Sequence, residues 1–159
     1  MKRAIILLTL IVSLLSSFSA SAQTKKVAVY VTGAIEPAKK SIVSSSILAR
    51  ISGNKDFVPF ERNEQFVNAL FKEHSYQQSG EVAEHEIRQS GQKFGVDYVI
   101  AANVVIDDEN QCYMSARLIN LNTGEIVKSA NINRLYTGTK VLSTMATNLA
   151  YRLTNKNSK

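Results

Sequence analysis

Three short segments of alternating apolar and polar residues follow one another in the second half of the chain. They cover residues 97–107, 111–121 and 125–134, and the breaks between them are polar or contain glycine. Alternation with a period of two places successive side chains on opposite faces of a strand, and short polar breaks are typical of hairpin turns. The pattern predicts an antiparallel meander of three strands.

The first two segments differ in how their faces are expected to be covered. In the segment over 111–121, one face carries only apolar or small side chains and is expected to be buried, namely Cys112, Met114, Ala116 and Leu118. The segment over 97–107 is apolar on both faces, which is typical of a central strand that is covered on at least part of both sides. We therefore expect the meander to provide much of the inner wall of the domain.

The remaining periodicity predicts short strands that alternate with helices. Strands are predicted at 25–33 and 56–61, and Pro59 favours an edge position for the second because proline cannot donate a ladder hydrogen bond. Apolar residues at helical spacing predict helices over 36–52, 64–74, 81–94 and 139–153. The order β-α-β-α-α-β-β-β-α implies an α/β fold, a two-layer sandwich in which helices pack on a mixed sheet of about five strands.

The first 22 residues have the pattern of an export signal. Lys2 and Arg3 precede an apolar stretch, and Ala20-Ser21-Ala22 is a small-residue cleavage site. A membrane-spanning anchor would need about 20 apolar residues, and serines interrupt the second half of this stretch. We therefore expect a cleaved signal peptide over 1–22, a single domain over 23–154 and a frayed tail over 155–159.

We predict that the mature protein begins at Gln23 and carries no lipid anchor. Lipid attachment to an exported bacterial protein requires a cysteine at the cleavage point, and the one cysteine of the chain is Cys112. Intact-mass measurement of the protein from the exporting cell should give the mass of residues 23–159. A species that retains the signal, or one with an added acyl mass, would contradict this prediction.

The expected location of the mature protein is the periplasm, where we expect it to be soluble.

The charge of the mature chain is mildly basic. Removing Lys2 and Arg3 from the 19 basic residues leaves 17 against 13 acidic residues, a formal net charge of +4. This charge permits weak contact with anionic envelope polymers, but the sequence lacks the clustered basic residues of a nucleic-acid surface. We therefore expect no nucleic-acid partner. Cys112 cannot form an internal disulfide and is expected to be a buried, inert thiol.

The sequence contains no complete catalytic motif. It has no glycine-rich phosphate loop and no Gly-x-Ser-x-Gly motif, and His74 and His85 lack the close pairing on one helix face that zinc sites show. The acidic residues at 107–109 are interpreted as a polar hairpin turn, because they lack the pattern of a calcium loop. We expect no enzyme activity, cofactor or metal. The alternative is a small-ligand or metal-binding enzyme that uses His74 and the Glu81–Glu86 region.

Four short motifs occur in an order and spacing that resemble a known superfamily. They are the Glu61-Arg62 helix start, the Gln78-Ser79-Gly80 break, the Gly95-Val96-Asp97-Tyr98 approach to the meander and the Asn122-Thr123-Gly124-Glu125 turn. This arrangement spans most of the mature chain and resembles the superfamily of the curli secretion subunit CsgG, the peptidoglycan-synthase activator LpoB and the TolB amino-terminal domain. The resemblance implies an α/β fold and a non-enzymatic protein that binds periplasmic or outer-membrane proteins, in outer-membrane assembly, curli-like secretion or peptidoglycan-synthase regulation.

Two features of the chain depart from that superfamily. CsgG-like channel subunits and LpoB-like activators are lipoproteins, whereas this chain has no cysteine at its cleavage site. A channel subunit also needs hairpin strands of about 9–11 residues that cross the bilayer, and the meander strands are expected to belong to the sheet of the domain itself. The resemblance therefore implies partner binding without pore formation.

The third meander segment is the candidate partner surface. We expect an edge strand with Ile126, Ala130 and Ile132 on one face. The other face is expected to carry polar side chains that end near Arg134 and Tyr136, namely Ser129, Asn131 and Asn133, beside Val127. Amide side chains beside an arginine and a tyrosine suit a polar interface, and edge strands can pair with a partner strand. We predict that Asn131, Asn133 and Arg134 contact a partner protein; the alternative is a solvated strand.

Overall fold

The computed structural model describes residues 24–60 and 94–155. The strands and helices are, in chain order, β1 (Lys25–Thr32), α1 (Pro37–Ser52), β2 (Phe57–Pro59), β3 (Tyr98–Ile106), β4 (Gln111–Asn120), β5 (Ile126–Leu135) and α2 (Thr139–Thr154). The helix predicted at 64–74, and all but the last residue of the one predicted at 81–94, lie outside the described residues. In the described ranges, no helix is long and apolar enough to cross a membrane.

The five strands form one mixed sheet in the order β2-β1-β3-β4-β5. β1 pairs in parallel with β2 and β3, and α1 provides the crossover that a parallel pair requires. β3, β4 and β5 pair in antiparallel fashion through two hairpin turns. The predicted α/β fold, the meander and the edge position of the strand that contains Pro59 are all confirmed.

The helices α1 and α2 pack on one face of the sheet and enclose the main core. The predicted apolar stripe of α2 is buried, with each side chain at most 2% exposed: Leu142, Met145, Leu149 and Leu153. The predicted inner face of β4 is buried to the same degree: Cys112, Met114, Ala116 and Leu118. Burying a large apolar side chain stabilises a fold by about 1.5–3 kcal/mol, so this layer supplies most of the driving force for folding.

The first residue of α1 and its contact with α2 both follow from its sequence. Pro37 occupies the first helical position, where its missing N–H would have no partner within the helix. Ser46 Oγ lies 2.9 Å from Ser143 Oγ, and this hydrogen bond joins α1 to α2. Ser46 therefore serves in the packing of α1 against α2.

A smaller apolar cluster lies on the opposite face of the sheet. It contains Ala28, Val96, Val99 and Leu121, with Phe60 and Phe94 packed against it. β3 is consequently covered on both faces near its beginning and open near its end, where Val105 is 41% exposed. This confirms the prediction of a central strand that is covered on part of both sides.

A β-bulge places the side chain of the first residue of β5 on the opposite face of the sheet. The pairing register between β4 and β5 shifts between Leu118 and Ile119, which leaves Val127 as an extra residue. The extra residue turns Ile126 away from the helix-packed face, and its side chain is 55% exposed. The prediction that Ile126 shares a face with Ala130 and Ile132 is therefore wrong, because strict alternation does not hold across a bulge.

Candidate partner-binding surface

A row of polar side chains crosses four strands on the sheet face opposite to α1 and α2. The strand register aligns Thr32, Asn103, Ser115 and Asn131. At one end of the row, Thr32 Oγ1 donates a hydrogen bond to Asn103 Oδ1 at 3.3 Å. Residues directly opposite each other in a ladder share a face and lie close together. The row therefore presents hydroxyl and amide groups side by side.

The next row along the meander combines apolar and amide side chains. The register aligns Val105, Tyr113 and Asn133. Val105 is 41% exposed and Tyr113 is 47% exposed. Leu135 follows Asn133 by two residues, so it lies on the same face, and it is 55% exposed. Exposed tyrosine and aliphatic side chains beside amides are typical of a protein interface.

The two rows form a shallow concave surface. A depression of about 340 Å³ is lined by Asn103, Val105, Tyr113, Met114, Ser115, Asn131, Ile132 and Asn133. We call the exposed surface formed by Asn103, Val105, Tyr113, Ser115, Asn131, Asn133 and Leu135 the meander patch. None of these side chains is charged at neutral pH, so a partner can cover the patch without the large cost of desolvating a charge. The nearest charge in the register is Arg117, which is exposed beside the hydroxyl row.

The structure separates the three predicted partner-binding residues. Asn131 and Asn133 line the meander patch. Arg134 pairs with Cys112 in the ladder and therefore lies on the opposite, helix-packed face. β5 continues to Leu135, so alternation still holds at Arg134. The expectation that the polar face ends near Arg134 is therefore wrong, because alternation continues through this residue, and a contact between Arg134 and a partner stays a prediction.

The sequence pattern does not identify the patch residues that lie on β3 and β4. Asn103, Val105 and Tyr113 come from two other strands, and the register of the two hairpins brings them beside Asn131 and Asn133. The available signal was the odd-numbered face of the first two segments. This face is less apolar near the turn that joins the two segments than at their other ends. That signal becomes a surface only once the pairing register is known.

The acidic hairpin turn is a structural feature. Asp107 Oδ1 accepts hydrogen bonds from the backbone N–H of Glu109 at 3.1 Å and of Gln111 at 2.7 Å. Asn110 adopts a left-handed backbone conformation, with φ of 59°. These contacts close the turn between β3 and β4. The interpretation of residues 107–109 as a polar hairpin turn is confirmed.

The residues of the alternative enzyme hypothesis lie outside the described ranges. This applies to His74 and to the whole Glu81–Glu86 region. Within residues 24–60 and 94–155, no group of three or more His, Cys, Asp or Glu side chains could hold a metal ion. The absence of a metal site remains a prediction for the chain as a whole.

Cys112 is a buried thiol on the helix-packed face of β4. Its side chain is fully buried, and burial raises the pKa of the thiol. The neutral thiol therefore persists at neutral pH. Any stability linked to this pKa shift is present below the ordinary pKa of a thiol and is lost as the pH rises through the raised value. The prediction of a buried cysteine is confirmed.

No protein-family model matches the chain, and no curated protein sequence matches it. The fold is nevertheless shared by solved bacterial structures. The PelC dodecamer from Paraburkholderia phytofirmans matches with a TM-score of 0.56 and 14% identity, over 87% of this chain and 93% of that chain. TolB from Acinetobacter baumannii matches with a TM-score of 0.50 and 12% identity, over 82% of this chain and 28% of that chain. The LpoB C-terminal domain from Salmonella enterica matches with a TM-score of 0.49 and 15% identity, over 80% of this chain and 94% of that chain.

These similarities confirm the expected resemblance at the level of the fold. The TolB match covers about a quarter of that protein, so this chain corresponds in fold to one part of TolB. At such low identities the shared feature is the architecture of the sheet and its helices.

Proposed function

We propose that this protein is a non-enzymatic protein of the cell envelope that binds another envelope protein through the meander patch. The observation that carries the proposal is the exposed, uncharged and concave face of β3, β4 and β5. The predicted export signal over residues 1–22 and the fold shared with PelC and TolB support an envelope location. Outer-membrane assembly, curli-like secretion and peptidoglycan-synthase regulation are the roles that the sequence resemblance implies.

The shape of the patch favours a protein partner over a small molecule. Small-ligand sites are clefts that bury most of the surface of the ligand. The depression in the meander patch is shallow, and Tyr113 lines it while about half of this residue stays exposed. Tyrosine is enriched among the residues that dominate binding energy at protein interfaces. Tyr113 is therefore the proposed anchor of the interface.

The chemistry of the patch also favours binding over catalysis. Its side chains are amides, a hydroxyl, a phenol and aliphatic groups, and none of them is a carboxylate, an imidazole or a thiol. General acid–base and nucleophilic catalysis need a group that is activated by a neighbouring base or by a shifted pKa. The patch offers hydrogen-bonding groups and apolar area, which are the components of an interface.

A site-specific photocrosslinker provides the test of this proposal. Tyr113 is replaced with benzoylphenylalanine in the cells that export the protein, and Tyr151 is replaced in the same way as a control. Tyr151 is a matched position because it is 44% exposed and lies on α2. We expect a discrete crosslinked product from position 113 and none from position 151. Equal crosslinking from both positions would remove the meander patch as the binding surface.

A charge placed in the patch should abolish the crosslink at position 113. Ser115→Arg introduces a cation at an exposed position of the hydroxyl row, and a partner would have to cover that cation at a desolvation cost. Exposed substitutions change stability within about 0.5 kcal/mol, so folding should be retained. Asn148→Arg adds the same charge on the exposed side of α2 and should leave the crosslink intact. An undiminished crosslink with Ser115→Arg would contradict the proposal.

A further inference from the structure

β5 is the last strand in the sheet order. The directions in which its backbone N–H and C=O groups point follow from its pairing with β4. The Tyr136 N–H donates to Asn110 O at 2.7 Å, which makes this pair a hydrogen-bonded one. Hydrogen-bonded and non-hydrogen-bonded pairs alternate along an antiparallel ladder. Beyond the bulge, the even-numbered residues of β5 from Lys128 to Arg134 therefore bond to β4. The N–H and C=O groups of Ser129, Asn131 and Asn133 point away from β4, toward the edge of the sheet.

The side chain of Arg152 supports this assignment independently. Arg152 Nη1, from the last turn of α2, donates to Asn131 O at 3.2 Å. An arginine that approaches from α2 can reach this carbonyl because the carbonyl is not used in the ladder with β4. The edge of β5 thus presents backbone groups that a further strand could bond, with a guanidinium beside the central one.

The surroundings of this edge are basic. Within the described residues, three cations lie on or beside β5, namely Lys128, Arg134 and Arg152. Lys128 and Arg134 lie on β5 itself, and Lys128 Nζ donates to the backbone oxygen of Asn155. A segment with carboxylate side chains would find a cation near each end of the strand and Arg152 beside its centre.

The same charges disfavour a second copy of this chain as the occupant. In an antiparallel pairing of β5 with β5 that is centred on Asn131, Lys128 of one copy lies opposite Arg134 of the other. Like charges directly opposite each other in a ladder are destabilising. Proteins commonly use charged side chains, especially lysine, on edge strands to prevent edge-to-edge association. The charge pattern therefore selects against self-pairing and for an acidic strand.

We propose that β5 accepts an extended acidic segment of a partner protein as a sixth strand of the sheet. The N–H groups of the incoming strand bond to the outward carbonyls of β5, and Arg152 exchanges Asn131 O for a carboxylate of that strand. A guanidinium and a carboxylate can form two parallel hydrogen bonds between opposite charges, which is a stronger contact than the single bond from Arg152 to a neutral carbonyl. This edge is a different surface from the meander patch, so either proposal can fail without the other.

The first measurement uses a synthetic peptide of alternating Glu and Val with blocked ends. Binding to the mature protein is followed by amide hydrogen exchange. We expect protection of the backbone N–H groups of Ser129, Asn131 and Asn133. A Lys–Val peptide of the same length should bind at least about tenfold more weakly because its charges repel those of the edge. Protection confined to other strands, or equal binding of both peptides, would overturn the proposal.

The second measurement separates backbone pairing from side-chain contact. Asn131→Pro removes an outward N–H, and proline is tolerated at edge positions that do not bond to the ladder. We expect this variant to bind the Glu–Val peptide about tenfold more weakly. Asn131→Ala keeps the N–H and should bind the peptide within about twofold of the unchanged protein, a difference well below one hydrogen bond. Equal affinity of the two variants for the peptide would overturn the proposal.

Two further measurements test whether binding at this edge is strand pairing or only attraction of a polyanion. The Glu–Val peptide with N-methylated backbone amides tests strand pairing on the unchanged protein, and it should not bind. Polygalacturonate is an anionic polymer that cannot pair as a strand. Binding of polygalacturonate with the same protection pattern would mark the edge as a polyanion site and overturn the proposal, as would a dimer in light scattering that Asn131→Pro dissociates.

Discussion

Replacing Gly33 with alanine should reduce the free energy of unfolding by about 4 kcal/mol, the sum of backbone strain and overpacking. Gly33 has a φ of +115°, a conformation that L side chains rarely adopt. An added Cβ would lie 1.9 Å from the backbone oxygen of Val104. That oxygen belongs to the central strand β3 and cannot move without disturbing its ladders. Small domains have a total stability of about 5–15 kcal/mol, so the variant would lose a large share of its stability.

Two other glycines are matched controls for this substitution. Gly138 has a φ of +135° with no atom within 4 Å of an added Cβ, so Gly138→Ala measures backbone strain alone. Its cost should be about 1–3 kcal/mol. Gly53 has a φ of −88°, and its nearest neighbour would be 3.8 Å away, so Gly53→Ala should change stability by less than about 0.5 kcal/mol. Urea unfolding should rank the losses Gly33, Gly138, Gly53; equal losses at Gly33 and Gly138 would contradict the predicted clash.

Replacing Leu149 with alanine should lower the free energy of unfolding by about 2–5 kcal/mol. Leu149 is fully buried in the core between α2 and the sheet. Truncation removes apolar contact area and leaves a cavity that the neighbouring helix α1 can fill only in part. The loss should appear as a lower midpoint of urea unfolding with an unchanged slope.

Leu135→Ala is the control for this core substitution. Leu135 is the same residue type but is 55% exposed on the meander patch. Its truncation should change stability by less than about 0.5 kcal/mol. A similar loss from both leucines would mean that the exposed face of β5 is covered in the native protein. That outcome would also count against the meander patch as a free interface.

Asn131 occupies a special position because it belongs to both proposed surfaces. Its side chain lines the meander patch, whereas its backbone N–H and C=O face the edge of β5. Side-chain truncation therefore tests the patch, and proline substitution tests the edge. A partner that used both surfaces would bury a sheet edge and a sheet face together, which gives more contact area than either surface alone.

The sequence by itself determined the local structure of this protein. The period-two segments predicted β3, β4 and β5, and the helical spacing of Leu142, Met145, Leu149 and Leu153 predicted α2 and its buried side. These predictions hold because the alternation of side chains in a strand and the stripe of a helix are fixed by backbone geometry within a few residues. The mixed α/β class followed from the order of these elements.

The tertiary structure alone decided which residues meet. The bulge at Val127, which exposes Ile126, and the pairing register that brings Asn103 and Tyr113 beside Asn131 both depend on contacts between strands. The edge position of β5 was expected, but the outward direction of its backbone groups depends on the register as well. Pairing register is set by turns and by packing against distant helices, and a shift of one residue exchanges the two faces of a strand. No local pattern fixes that choice, so the sequence indicated β5, Asn131 and Asn133, whereas the residues of β3 and β4 that join them became visible only in the folded sheet.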